Sequence, residues 1–192
     1  MDRPDLVVLT GYPCSGKSLI ANYMTEEFDY VRLSTDDFRE TLYGKTVLEL
    51  MDRNIDTRGE EKNNYMWHLL NYAKQNFLMN GFNVVIDSCA ENNNIRKFLL
   101  STDYKLPFSA GSKKSYIPVN RHLIYLDVDK KILTKRNLEK GRTNDVVSEW
   151  NENWEIPKEE DFSHTNFIQY ENNRLLHKVH ILNNICSLFA SK

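Results

Sequence analysis

The sequence predicts an α/β fold, a parallel sheet with helices on both faces and a small lid, and three observations predict it. Apolar runs of strand length alternate with segments of helical period along the chain. A glycine-containing loop joins the first apolar run to the first helical segment, the order of a strand–loop–helix turn. Three polar segments, 11–18, 34–39 and 87–89, each follow the end of a predicted strand, so a parallel sheet brings them to one rim. The 192 residues are 41% hydrophobic, which suits one domain over 1–192 with a sizeable core and a lid at about 136–163.

The elements follow in order. Residues 6–10, Leu-Val-Val-Leu-Thr, are a short β-branched apolar run of the kind that forms a buried strand. Residues 19–24 read as a helix with an apolar face, 30–33 as a second strand and 36–43 as a helix. A longer helix is expected over about 59–80, with Tyr65, Leu69, Tyr72, Ala73 and Asn76 near helical spacing, and Gly81 ends it as a C′ glycine does. Residues 82–87 form a third strand, apolar to its end except for Asn83 and the final Asp87. A helix over about 92–100 follows. The stretch 101–120 holds Pro107, Gly111 and Pro118 among Ser and Lys residues and reads as a surface loop, long for a compact domain. Residues 121–127 are a fourth strand, 131–140 a helix stopped by Gly141, and 166–170 a fifth strand. Residues 175–190 suit a closing helix, with 179–182 also compatible with extended chain.

Composition narrows the function classes. With 25 basic and 27 acidic residues the net charge is −2, so nothing global draws the chain to nucleic acid or anionic lipid, and any such contact uses a local patch. No apolar run approaches the ~20 residues that span a bilayer. The first strand begins too close to Met1 for a signal peptide, and a cytoplasmic protein is expected. Cys14, Cys89 and Cys186 are scattered, without a C-x-x-C pair, which argues against a disulfide framework or a zinc site. The five histidines lack metal-ligand spacing, and no feature specifies an oligomeric state.

The chemistry concentrates at the first loop. Gly11, Tyr12, Pro13, Cys14, Ser15, Gly16, Lys17 and Ser18 satisfy G-x-x-x-x-G-K-[ST] at every fixed position. A strand, this loop and a helix N-terminus converge several backbone N–H groups and the positive end of a helix dipole on one point, a site for polyphosphate. Lys17 adds a point charge for the β- and γ-phosphates and Ser18 a hydroxyl for Mg²⁺, so ATP and Mg²⁺ are the expected ligands. Cys14, inside the loop, is read as a small residue that fits there, although Lys17 and the helix N-terminus would also favour a reactive thiolate.

Two further segments join that rim. Asp36 is suited to accept a hydroxyl proton, and Arg39, three residues on, lies on the same side of a first helical turn. A cap of Ser34 or Thr35 followed by acidic residues explains the same pattern without catalysis. Asp87, at a strand end, is suited to orient Mg²⁺ or its waters, or to cap the next helix. Arg136, Lys140 and Arg142, with the polar stretch to about 163 that contains Trp150, Trp154 and Pro157, suit a basic lid over bound ATP. The alternative is a solvated helix in which Lys135 or Arg136 pairs with Glu139.

Taken together these segments resemble a P-loop kinase family that includes the phage-type polynucleotide 5′-kinases. Besides the loop, Asp36-Asp37-Phe38-Arg39 is similar to the family's D-D-[YF]-R. Val84-Val85-Ile86-Asp87-Ser88, ahead of Asn92-Asn93-Asn94-Ile95-Arg96, is similar to its strand ending in D-[AST]. Lys135-Arg136-Asn137 with Gly141-Arg142 is similar to the lid, and Trp154-Glu155-Ile156-Pro157 and Glu160-Asp161-Phe162 to [FW]-E-x-P and E-x-F. The resemblance implies an ATP- and Mg²⁺-dependent kinase acting on the 5′-hydroxyl of RNA or DNA. Asp36 would be the general base, and Arg39 would hold the acceptor-side phosphate or the transferring group. Lys17 and Ser18 would bind ATP and magnesium, with Arg136 and Lys140 or Arg142 as lid cations. Cys14 stands where the family often has a glycine, and Lys140 where it usually has a second arginine. The loop is also similar to that of seryl-tRNA kinases and Elongator-associated P-loop proteins. That leaves open a small molecule, nucleoside or aminoacyl-tRNA acceptor, or an ATP-driven switch that binds a protein or tRNA partner.

Overall fold

β1 (Asp5–Thr10) is buried at every position, as a strand must be when helices cover both faces of its sheet. Its side chains alternate between two cores. Leu6 and Val8 pack with Met66, Leu70 and Leu99 on one face, and Val7 and Leu9 with Ile20, Ala21 and Met24 on the other. The computed structural model describes residues 3–45, 61–104, 115–141 and 154–173. After β1 they form α1 (Lys17–Phe28), β2 (Val31–Ser34), α2 (Thr35–Tyr43), α3 (Glu61–Met79), β3 (Val84–Asp87), α4 (Asn93–Leu100), β4 (Asp103–Tyr104) and β5 (Ser115–Tyr116). β6 (Asn120–Asp127), α5 (Lys130–Glu139), a 3₁₀ turn (Glu159–Asp161) and β7 (Asn166–Glu171) complete them.

Five strands make one parallel sheet in the order β2-β3-β1-β6-β7. α1 covers one face, and α3 and α4 the other. This is the expected α/β architecture. The register aligns Leu9 of β1 and Ser34 of β2 with Asp87 of β3. The phosphate loop, the start of α2 and the end of β3 therefore share the carboxyl rim of the sheet. No helix among the described residues is long and apolar enough to cross a membrane.

Three expectations change. The helical period over α3 is right, but its apolar face is the other one. Tyr65, Leu69 and Tyr72 are exposed at 54%, 44% and 61%, whereas Met66, Leu70 and Leu78 are buried against the sheet. Both stripes repeat at helical spacing, and period alone does not say which one meets the sheet. The stretch 101–120 is not a bare loop. β4 and β5 pair antiparallel, and Ile117 and Val119 enter the core. Two-residue strands are too short to show a period. β6 also starts one residue earlier, at Asn120, whose N–H bonds Pro4 O at 3.0 Å. Residues 59–60, 105–114, 142–153 of the expected lid and 175–190 lie outside the described residues.

Lys74 of α3 is wholly buried and closes the last turn of α4. Its Nζ donates to the carbonyls of Ser101, Leu99 and Phe98 at 2.6, 3.0 and 3.4 Å. They lie at a helix C-terminus, where a cation is favoured, and Phe98 O also accepts Ser101 N–H at 3.2 Å. Burial, reinforced by the charge of Arg121, pulls the ammonium down to about 7. Lys74→Met takes the Lys74 donor from the Leu99 and Ser101 carbonyls and is expected to cost about 2 kcal/mol at neutral pH, measured by urea unfolding. Above pH 7 the unfolded chain holds a proton that the folded chain has released, so stability rises with pH. The wild-type chain should thus gain on Lys74→Met between about pH 7 and 10; a flat difference would remove the titration.

Candidate functional site

The phosphate loop is held by its own backbone and by the ends of β3 and β7. Gly11 leaves β1 with its N–H donated to Cys89 O at 3.3 Å. A Cβ on Gly11 would stand 2.7 Å from Ser15 Oγ and 2.9 Å from Leu126 O. Ser15 N–H closes a turn on Tyr12 O at 3.1 Å, with Cys14 in the left-handed region at φ 66°. That conformation is the one for which glycine is favoured, so the cysteine holds it at a local backbone cost. Gly16 precedes α1 at φ 106°, and no side chain caps the helix. The first N–H groups of α1 are therefore left to a ligand or solvent, an anion-binding arrangement.

Lys17 is only 7% exposed, and its Nζ donates to Gly11 O at 2.9 Å and Tyr12 O at 2.8 Å. Ser18 is exposed on the first turn. The loop is thus a glycine-shaped cradle with a buried ammonium folded into it and a hydroxyl at its mouth, a donor set that fits a polyphosphate.

Asn172, just past β7, is a part of this cradle that no sequence signal marked. Its Nδ2 donates to Ser15 O at 2.7 Å, and its N–H to Asp127 O at 2.8 Å. A Cβ on Gly16 would meet that Nδ2 at 2.9 Å. Gly44, at φ 63°, has nothing within 4 Å of an added Cβ. Gly16→Ala should therefore cost about 2–3 kcal/mol, the backbone strain plus a displaced amide, against about 1 kcal/mol for Gly44→Ala. Urea midpoints of the two variants compare them, and equal losses would remove the Asn172 contact from the account.

Asp36 lies on the first turn of α2. Ser34 Oγ accepts from Asp37 N at 3.2 Å, so the cap reading is correct for Ser34. It leaves the Asp36 carboxylate 59% exposed, with Arg39 Nη1 donating to Oδ1 at 3.2 Å. Asp87 is buried and accepts from Arg32 Nη2 at 2.8 Å and Nε at 3.3 Å, while Arg32 also reaches Asp37 at 2.7 Å. It does not cap α4, whose cap is Asn92, accepting from Ile95 N at 3.0 Å. Burial pushes the Cys89 thiol up; the charge of Lys17 pulls it down, and Asp36 and Asp87 add to the rise. Lys17, Asp36 and Asp87 thus act on one thiol at the rim. Among the described residues no group of three His, Cys, Asp or Glu could hold a metal ion.

Arg136, on α5, reaches the loop rather than open solvent. Its Nη2 donates to Asn172 O at 2.9 Å and its Nη1 to Cys14 O at 3.4 Å. The Glu139 pairing falls to Lys135, at 3.9 Å. Lys140 is exposed at the end of α5, and Arg142 lies outside the described residues.

The pattern of the AAA domain, a protein family, matches residues 6–154. The chain belongs to this AAA domain family. No curated protein matches it. Among solved structures the AAA domain is similar to a sugar kinase from Janibacter sp., with TM-score 0.65 and 15% identity over 99% of this chain and 95% of that one. A gluconokinase from Sinorhizobium meliloti follows at TM-score 0.60 and 17% identity, covering 100% and 97%. A chain of the Pnkp1/Rnl/Hen1 complex is similar at TM-score 0.55 and 19% identity, over 92% of this chain but 49% of that one. At such identities the likeness is one of fold, and the fold is that of P-loop kinases.

Proposed function

We propose that this AAA domain is an ATP- and Mg²⁺-dependent kinase that moves the γ-phosphate of ATP to the 5′-hydroxyl of RNA or DNA. The observation that carries the reading is the Asp36–Arg39 pair, its carboxylate exposed on the same rim as the phosphate loop. An exposed carboxylate beside an arginine is what transfer to an alcohol requires. The loop N–H groups and Lys17 would hold the β- and γ-phosphates, and Ser18 would hold the metal, with Asp87 suited to orient it or its waters. Mg²⁺, when bound, neutralises charge on the phosphates. The acceptor hydroxyl gives its proton to Asp36 as its oxygen bonds to the γ-phosphorus, and the bond from that phosphorus to the ADP oxygen breaks. Arg39 holds the acceptor-side phosphate or the transferring group. Arg136, on α5, supplies positive charge, and Lys140 or Arg142 is the second lid cation.

A second reading keeps the reaction and changes the acceptor to a small molecule, favoured by the fold likeness to the sugar kinase and the gluconokinase and by the absence of a basic excess. A switch without an acceptor has no use for the Asp36–Arg39 pair. Transfer from γ-labelled ATP is measured with 5′-OH RNA, 5′-OH DNA, tRNA, nucleosides, gluconate and no acceptor. Label on the 5′-OH oligomers is the expected result. Label on gluconate, tRNA or nucleosides alone replaces the acceptor. ATP hydrolysis with no labelled acceptor overturns the kinase reading.

A further inference from the structure

Arg96, on α4, belongs to no step of the reaction above, yet it is the largest fully buried side chain among the described residues. Its exposure is 0%, so it meets no ligand. A buried guanidinium is costly unless its donors are matched, and here they are matched in four directions. Nε donates to Thr10 Oγ1 at 3.2 Å, and Nη1 to Asn93 Oδ1 at 2.7 Å. Nη2 donates to Glu91 O at 3.1 Å and to Glu155 O at 2.6 Å. One planar group thereby joins the end of β1, the segment after β3, the start of α4 and the chain at 154–155. Burial draws Arg96 down to about 10, opposed by nearby Glu155 and other acidic groups, so it stays charged at neutral pH.

Two of those joints end on the phosphate loop. Thr10 immediately precedes Gly11, and its hydroxyl, while accepting from Arg96, donates to Cys89 O at 2.9 Å, the same oxygen that receives Gly11 N–H. On the other side, the guanidinium lies 5.0 Å from the Trp154 ring centre, and Trp154 stacks on Tyr12 of the loop at 4.4 Å. The Trp154 indole N–H is buried with no hydrogen-bond partner among the described residues, so the ring is held by packing, with Tyr12 and Arg96 close and Tyr125 at 6.3 Å. The adjacent Glu155 is fixed independently: its carboxylate accepts Asn93 N–H at 2.8 Å at the N-terminus of α4, and its N–H bonds Glu91 O at 2.9 Å.

We propose that Arg96 is a positioning residue for the phosphate loop, holding Thr10 on one side of Gly11 and, through Trp154, Tyr12 on the other. Nucleotide affinity then depends on a side chain that touches no nucleotide. The inference rests on the reading of residues 11–18 as an ATP site. A role in stability alone predicts something different: a lower melting temperature with unchanged affinity per folded molecule.

The test compares Arg96→Met, Arg96→Lys and Thr10→Val with the wild-type chain. ATP with Mg²⁺ is titrated by calorimetry, and folded fraction is fixed by circular dichroism. Arg96→Met should bind ATP about tenfold or more weakly, and Arg96→Lys should not rescue it, because one ammonium cannot reach four divergent acceptors. Thr10→Val, which removes a single hydroxyl, should weaken binding roughly threefold or more and decides the matter if the Arg96 variants do not fold. With Trp67→Phe and Trp150→Phe in place, Trp154 reports alone: saturating ATP should shift its emission, and Thr10→Val or Arg96→Met should reduce that shift. ATP affinities within about twofold of wild type in the folded variants, or full rescue by lysine, would overturn the inference. No ATP binding by the wild-type chain would instead overturn the nucleotide reading on which it stands.

Discussion

Asp36→Asn should lower the transfer rate by about 10³-fold while leaving ATP affinity within about twofold. The amide keeps the size of the carboxylate and can still accept from Arg39 Nη1, which lies 3.2 Å from Oδ1. It cannot take the acceptor proton. The loss therefore falls on the chemical step and not on the fold or the nucleotide. The cap of α2 is Ser34, not Asp36, so the helix keeps its N-terminal hydrogen bond in the variant. Single-turnover transfer and nucleotide titration on the same preparation separate the two effects. Turnover near the wild-type rate would remove the general-base role, and a parallel loss of ATP binding would make Asp36 part of the nucleotide site.

Lys17→Ala should act on both quantities: transfer falls by roughly 10³-fold or more, and ATP binding weakens by at least about tenfold. The buried ammonium is directed into the loop by the carbonyls of Gly11 and Tyr12 at 2.9 and 2.8 Å. A charge held in a water-poor cradle acts more strongly on phosphate than one in solvent. Removing it deletes that charge and leaves two loop carbonyls without their donor. The contrast between a rate defect alone for Asp36→Asn and a rate-plus-binding defect for Lys17→Ala is the signature of a base and a phosphate ligand. If Lys17→Ala bound ATP as wild type does, the nucleotide would lie elsewhere.

Much of this site is legible along the chain, because its signals are local. Gly11 and Gly16 stand where the backbone must take positive φ, Lys17 and Ser18 follow at fixed offsets, and Asp36 and Arg39 are one helical turn apart. The order of strands and helices likewise follows from apolar runs of strand length alternating with segments of helical period, and it is enough to place 11–18, 34–39 and 87–89 along one rim.

What only the tertiary structure decided is which distant groups complete the cradle. Asn172 reaches Ser15 across 157 residues, and Arg96 reaches Thr10 across 86. An asparagine after a strand and an arginine inside a helix look the same whether they face solvent or a loop. Asp87 shows the same limit: its place at a strand end can be read from the chain, but its pairing with Arg32 depends on β2 lying beside β3. So does the apolar face of α3, where Met66 and Leu70 are buried and Tyr65 and Leu69 are not, though all four repeat at helical spacing. By itself the sequence determined the glycine positions of the loop and the chemical groups it offers, since those depend on neighbours in the chain. The partners that hold the loop in shape were decided by packing, because hydrogen bonds and burial are set by distance in space and leave no period along the chain.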